Sequence, residues 1–403
     1  MSTTAVIVGA GLVGPLAACM LRQRGWTVTL LERRSDPRAE GYAGGRSINL
    51  ALSHRGLRAL ADAGLDARVL PDAIPMRGRC IHNTSGQTSM QPYSARPNRF
   101  IRSVSRGGLN CTLLDGAQAA GASVRFEADI STVDCTAGCV TLTDGTTFDG
   151  DLILGADGAG SHVRRAMLDA GTTRIRHEML DHGYKELTIP PSADGTWQLH
   201  KESLHIWPRG GSMMIALPNP DGSFTCTVFW PLEGAPASFA SGDASTVAAA
   251  YPDAAALMPT LQEDWDANPV GSLGTVWCDT WHSGRALLIG DAAHAIVPFY
   301  GQGMNAGFED IRLLGEALDR GEDLASFARS RKVDADAIAH LALHNFVEMR
   351  DHTGSPSFAR RQRRRQRLSR IFPWMTTVYE RVTFTDTPYA QALRTLRNES
   401  SST

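Results

Sequence analysis

The sequence predicts an α/β fold in which a parallel sheet with covering helices is interleaved with a mainly antiparallel sheet and followed by a helical C-terminal part. Three observations predict it. The chain opens with TTAVIVGAGLVGPLAACMLRQRGWTVTLLERR, an apolar run, a glycine turn, a stretch at helical period and a second apolar run. Short alternating runs broken by DG turns fill 120–155, and similar runs about ten residues apart fill 185–233. From about residue 305 the apolar spacing is mostly helical.

Taken in order, the opening segment is a βαβ unit from residue 5 onward. LSHRGLRALADAGL predicts a helix from near Ser53, a candidate N-cap, to Gly64. SVRFEADI, CVTLTDG and TFDGDLILGADG predict a small antiparallel sheet that returns to the parallel one. LHIWPR, SMMIALPN and SFTCTVFWP read as strands of a separate sheet, and ALLIGDAAHA as another buried strand with its turn. The basic run RRQRRRQRLSR at 360–370 carries a single apolar residue and reads as a solvated helix face.

At 403 residues, with 42% hydrophobic and 20% charged residues, the chain is long enough for interlocked domains around a large ligand and is not of disordered composition. Forty basic against 42 acidic residues leave a net charge of -2, so no overall field draws the chain to nucleic acid, and a small-molecule partner is expected. The seven cysteines are scattered and odd in number, which reads as buried thiols in a reducing compartment. Cys135 and Cys139 form the closest pair, but no further ligand stands at metal-site spacing, and no metal is called for. MSTTAVIVGAG is not a leader, and no apolar run is long enough to span a bilayer; the expected location is the cytoplasm.

The chemistry begins at GAGLVG. Gly9 suits a tight turn, Gly11 a close approach of pyrophosphate to the backbone, and Gly14 the packing of helix on strand, with the phosphates at the helix N-terminus. Glu32, at the end of the second apolar run, can accept hydrogens from two ribose hydroxyls. This Rossmann-like fingerprint calls for a dinucleotide without separating NAD from FAD. In DLILGADGAGSHVRR, Asp157 and Gly158 follow a strand while Ser161 and Arg164 open a helix; ALLIGDAAHAIVPFYGQGMNAG places Asp291 the same way. A second, nicotinamide site at 157–160 is the rival reading, against which the glycines there fall in a different pattern.

The opening GxGxxG, the DG turn, and GDAAH followed by Pro298 and GQGMN resemble the motif set of the single-component FAD-dependent aromatic hydroxylases. Within that class, GRSINLALSHRG, IPMRGRCIH, SVSR, HGYKELTIPP, LHIWPR, MMIALPN, SFTCT, NFVEMR and VTF, in order from about 5 to 385, resemble the kynurenine 3-monooxygenase family. The resemblance implies a Rossmann-like FAD-binding domain at 1–70, 100–180 and 275–330, a mainly antiparallel substrate domain at 71–99 and 181–274, and a helical region at 331–403 covering the substrate. It implies contact with FAD for Val13, Glu32, Arg33, Ala51, Arg106, Ile130, Asp291, Met304 and Asn305. Asp157 and the glycines of the three motifs, Gly303 among them, belong to the same set. Asp291 would hold a ribityl hydroxyl, and 301–305 would leave room for the ring against bare backbone.

For the substrate, the resemblance implies Arg79 and Tyr93 at the amino-acid end, with Asn345 and Tyr379 from the helical part. An arginine fork suits a carboxylate in a way lysine cannot copy. Pro298, Phe299 and Tyr300 are expected to wall the ring pocket, and His294 to sit in the turn under the flavin. The implied reaction is NADPH-consuming hydroxylation of L-kynurenine to 3-hydroxykynurenine through a flavin hydroperoxide, needing no nucleophilic side chain. A modified kynurenine or related aryl amino acid is the alternative substrate. Members with a C-terminal membrane segment differ from this chain, which stops at LRNESSST; the expectation is a soluble bacterial form, with a homodimer allowed. A flavin-dependent halogenase would carry W-x-W-x-I-P, which this sequence lacks, and a flavin-binding sensor has no use for the substrate set.

Overall fold

The structure, a computed structural model, describes residues 3–40, 49–234, 237–349 and 376–401. The basic run at 360–370, part of GRSINLALSHRG and the last residue of NFVEMR lie outside the described residues.

The parallel sheet has six strands in the order His282–Ser283, Ala286–Leu288, Leu152–Gly155, Thr4–Val8, Thr27–Leu31 and Ser123–Arg125. All neighbours pair parallel except the edge hairpin formed by the first two. Ile7, Leu30, Leu154 and Leu287 are fully buried, because helices cover the sheet; this is why its strands read as continuous apolar runs. Val13–Gln23 lies between Arg106–Ala119 and Gly303–Asp319, packing on both. The SVRFEADI stretch divides differently from expectation. Ser123–Arg125 joins the parallel sheet as its edge, and only Ile130–Asp134, Cys139–Leu142 and Thr147–Asp149 form the small antiparallel sheet. The predicted helix runs His54–Asp62; Ser53 is its N-cap by position, but its hydroxyl makes no capping bond.

The second large sheet has seven strands: Gly271–Cys278, Ile175–Ile189, Phe224–Pro231, Met213–Pro218, Ser203–Pro208, Gly78–His82 and Thr88–Pro92. Only the pair Ser203–Pro208 with Gly78–His82 is parallel. Period-two alternation sends Ile206, Met213 and Phe229 to one face and Trp207, Met214, Val228 and Trp230 to the other. The first face is covered by the helices Leu324–Val347, Val378–Phe384 and Tyr389–Ser401 through Ile338, Phe346, Val382 and Tyr389. Tyr251, Met258 and Trp265, from the stretch 244–267 with its three short helices, cover the second. A small sheet of Asn49–Leu52, Ile101–Ser105 and Ile74–Met76 bridges the two large ones.

Candidate active site

At the glycine turn, the three glycines do different things. A Cβ on Gly9, where φ is +100°, would stand 2.6 Å from the Asp157 Cα, and one on Gly14 would stand 1.9 Å from the Gly9 carbonyl oxygen. A Cβ on Gly11 would meet nothing within 4 Å. Two positions are therefore closed by packing and the middle one opens on a cleft. Ala10, Gly11, Leu12, Glu32, Arg34, Arg106 and Asn110 line that cleft. Asn110, which sequence reasoning missed, holds the turn by donating to the carbonyls of Ala10 (2.9 Å) and Gly11 (2.7 Å). Glu32 accepts from the amides of Ala10 (2.8 Å) and Arg34 (2.9 Å), each oxygen keeping a lone pair for a further donor. Arg33 is exposed beside it, and Val13 begins the helix whose N-terminus faces the cleft.

The carboxylate of Asp157 turns inward, accepting from Ser161 Oγ (2.5 Å) and the His162 amide (2.6 Å) at the start of the helix His162–Asp169. Burial raises its pKa. Arg164 of that helix donates to the Ala292 carbonyl at 2.7 Å, tying the DG turn to the GDAAH turn. Ile130 lies on the small antiparallel sheet, packed against the same core.

Two residues past the strand Ala286–Leu288 stands Gly290, whose φ of +55° and ψ of -142° only glycine adopts without strain. Asp291 follows. Its side chain is accessible, yet so surrounded by protein that desolvation raises its carboxyl pKa against the lowering charges of His294 and Arg106. It therefore faces a hollow within the protein instead of open solvent. Exposed Pro298 starts a tight 3-10 turn, Gly301 takes φ +65°, and Gly303 and half-buried Met304 begin the next helix. Asn305 is completely buried and braces this loop. Its Nδ2 donates to the carbonyls of Ala51 and Gly301, both at 2.8 Å, while Oδ1 accepts from the Ser53 amide at 2.9 Å.

His294 is committed elsewhere. It bonds Asp310 at 2.6 Å and stacks on Trp281, in a buried group that includes Arg331, Glu309 and Arg55. Asp310 also accepts from the Gly290 amide (2.9 Å) and Arg331 Nε (2.6 Å). Burial pushes the Asp310 carboxyl up, but the His294 and Arg331 charges more than reverse this and hold it at about 2. Arg55 bonds Glu309 and the Val382 and Thr387 carbonyls, with its guanidinium 4.0 Å from the Tyr389 ring centroid. The group thus links the turn at 290 to both C-terminal helices.

Beside this loop the structure brings together Arg79, Tyr93, Tyr300 and Tyr379. The Arg79 guanidinium lies 4.7 Å from the Tyr379 ring centroid and 5.5 Å from that of Tyr93, and its Nε has no hydrogen-bond partner. Burial lowers its pKa, while Tyr379, Tyr93 and the Glu348 carboxylate overturn that and leave it raised. Tyr379 stacks on Tyr93 (5.4 Å) and Tyr300 (5.5 Å). Burial drives the Tyr93 and Tyr300 hydroxyls well above the usual range, so both stay neutral. Phe299 stacks on Phe346 (4.3 Å) and tilts against Phe229 (5.0 Å), forming an apolar wall. Asn345 donates to the Phe299 carbonyl at 2.6 Å, so its amide fixes that wall. Glu348, at the C-cap of the helix Leu324–Val347, was missed by sequence reasoning, since an acid at a helix end carries no signal of its own.

The residues present fit an FAD. A cradle at Gly11 that a Cβ would fill, a ribose-height carboxylate, and an accessible carboxylate facing an internal hollow match the pyrophosphate, adenosine ribose and ribityl donors of that group. The family model described as FAD binding domain matches residues 2–323. A kynurenine 3-monooxygenase of Myxococcus xanthus is 47% identical over 96% of this chain and 87% of its own length, and one of Stenotrophomonas maltophilia 46% over 96% and 89%. Among solved structures, a 2-methyl-3-hydroxypyridine-5-carboxylic acid oxygenase superposes with a TM-score of 0.74 at 22% identity, covering 90% of this chain and 96% of that one. PqsL of P. aeruginosa in complex with 2-aminobenzoylacetate gives 0.68 at 20%, covering 85% and 94%. At those identities the likeness is one of fold. No helix among the described residues is long and apolar enough to cross a membrane. On the identity shared along nearly its whole length, the chain belongs to the kynurenine 3-monooxygenase family of FAD-binding proteins.

Proposed function

We propose that this protein hydroxylates L-kynurenine to 3-hydroxykynurenine, with FAD bound and with NADPH and O2 consumed. The balance is one NADPH, one proton and one O2 per substrate, giving NADP+, one water and the hydroxylated ring. When bound, FAD supplies the electron transfer and oxygen activation. Glu32, Gly11 and Arg106 would hold its adenosine and pyrophosphate end, Asp291 its ribityl chain, and 301–305 its ring, with Ala51 and Asn305 shaping that loop.

The observation that carries the reading is the enclosed Arg79 guanidinium with an unused Nε donor and Glu348 within electrostatic reach. An α-amino acid presents a carboxylate and an ammonium a few bonds apart. Arg79 suits the first and Glu348 the second. Neutral Tyr93 and Tyr300, stacked on Tyr379, can position the aryl ketone, while Phe299 and Phe346 keep water from the ring. The aniline nitrogen of kynurenine enriches the ortho carbon that takes the hydroxyl. In this reading 71–99 and 181–274 serve the substrate, 1–70, 100–180 and 275–330 serve FAD, and the helical part from 331 covers the site.

The test is NADPH oxidation by the purified yellow protein with and without L-kynurenine, with product followed by mass spectrometry. Hydroxylated product matching NADPH consumed supports the reading. Stimulation that yields hydrogen peroxide without product transfers it to a modified kynurenine or related aryl amino acid, and no stimulation refutes it.

A further inference from the structure

On the seven-stranded sheet, away from the flavin loop, lie Cys80, His82 and His205, all buried, with one ligand atom from each within 4.8 Å of the others. The register explains the cluster. Cys80 sits opposite His205 in the parallel pairing, and period two puts His82 on the same face as Cys80. Arg79, one residue before Cys80, lies on the other face with its partners Tyr93 and Tyr379.

The hydrogen-bond chain through the two imidazoles is short of a cation. His82 Nδ1 faces Asp253 Oδ2 at 3.2 Å, and His205 Nε2 faces the His200 carbonyl at 3.0 Å. A carboxylate and a carbonyl only accept, so these partners favour a hydrogen on each of the two ring nitrogens. Asp253 Oδ2 also accepts from Trp207 Nε1 at 2.7 Å, and Arg209 lies 3.6 Å from its Oδ1. The remaining nitrogens, His82 Nε2 and His205 Nδ1, then face each other as two lone pairs 2.8 Å apart. A proton or a metal ion between them satisfies both. A shared proton uses two nitrogens and gives the neighbouring thiol no part, whereas a metal ion uses all three donors.

We propose that Cys80, His82 and His205 bind one thiophilic transition-metal ion, with Zn2+ as the ion the donors fit best. Each imidazole already has the partner that metal-ligating histidines use to fix their orientation, a carboxylate for His82 and a backbone carbonyl for His205. Four-coordinate zinc sets its nitrogen ligands roughly 3.3 Å apart, so the facing rings part by about half an ångström. The thiolate and Asp253 offset the two charges of the ion, leaving the buried site neutral. Binding displaces the Cys80 thiol proton and any proton held between the rings. Entry is from the sheet edge, where Met90, the cross-strand partner of Cys80, is 51% exposed. The ion would clip the edge hairpin Gly78–Pro92 to the strand Ser203–Pro208, directly behind Arg79.

The holoenzyme, stripped with chelator and desalted, would be titrated with Zn2+ in competition with a chromophoric chelator and assayed for retained zinc by atomic emission. One zinc per chain is expected, with retention weakened more than about 10-fold in Cys80→Ser and His205→Asn. Co2+ in place of zinc should give four-coordinate bands in the red, beyond flavin absorption, and a thiolate charge-transfer band that Cys80→Ser abolishes. Flavin content and circular dichroism verify folding, and the near-isosteric Cys80→Ser decides the matter if His205→Asn does not fold. Substoichiometric zinc in the native protein, a six-coordinate cobalt spectrum, or unchanged retention in Cys80→Ser would each overturn the site in favour of a shared proton.

Discussion

Replacing Arg79 with Met removes the guanidinium and keeps an unbranched stem between the Tyr93 and Tyr379 rings, so that packing changes little. A charge-assisted hydrogen bond to a substrate carboxylate contributes about 1.5–3 kcal/mol. That corresponds to a loss of roughly 10- to 150-fold in kcat/KM for L-kynurenine. Because the site is enclosed and Arg79 Nε has no internal partner, the upper half of that range is expected. The assay is a two-by-two comparison of native protein and Arg79→Met on L-kynurenine and on its decarboxylated analogue, which lacks the carboxylate. The native protein should discriminate between the two by about the factor that the variant loses, and the variant should not discriminate at all. Flavin content should stay at the native level throughout. An equal loss on both substrates, or none on either, would show that Arg79 does not meet the carboxylate.

Two further outcomes follow from the same geometry. Gly11→Ala should fold and purify with depleted flavin, as read by the visible absorbance, because its Cβ enters the cleft; Gly14→Ala, with a Cβ at 1.9 Å from a carbonyl oxygen, should give little folded protein. Asp310, held at about 2 against an ordinary value of 3.8, contributes about 2 kcal/mol of stability that is complete above pH 3.8 and is lost as pH falls toward 2. Asp310→Asn should therefore lower stability at pH 7, measured by denaturant unfolding of flavin-loaded protein, and the gap to native protein should close in acid; a gap independent of pH would contradict the charge network.

Local signals were the legible ones. The strand, glycine turn and helix at 4–23 lie within one stretch of chain, as do Ser161 capping its helix and the alternation of 203–231. Strand order was not, because it depends on pairings such as Gly78–His82 with Ser203–Pro208 that no local pattern encodes. The same limit hid the buried group of Arg55, Glu309, Asp310, Arg331 and Tyr389, whose members are ordinary residues until the fold removes water from around them. Glu32 and Asp291 were readable from their place after a strand. That both Glu32 oxygens already accept from the backbone, and that Asp157 accepts from its own helix, is a matter of side-chain direction, which sequence does not carry.

The glycine turn at residue 9 is assembled from segments made at very different times. Its floor is Asp157 and Ala156, its helix leans on Gly290 and Gly307, and its central strand gains its second parallel neighbour only with Leu152–Gly155. A ribosome has delivered 307 residues before that pocket has all its walls. Pairing over such separations is slow and leaves apolar strand edges open meanwhile. An N-terminal half of this chain carries the whole glycine fingerprint and the lining of its cleft, yet it lacks the turn at 290 and the helix at 303 on which the fingerprint helix rests.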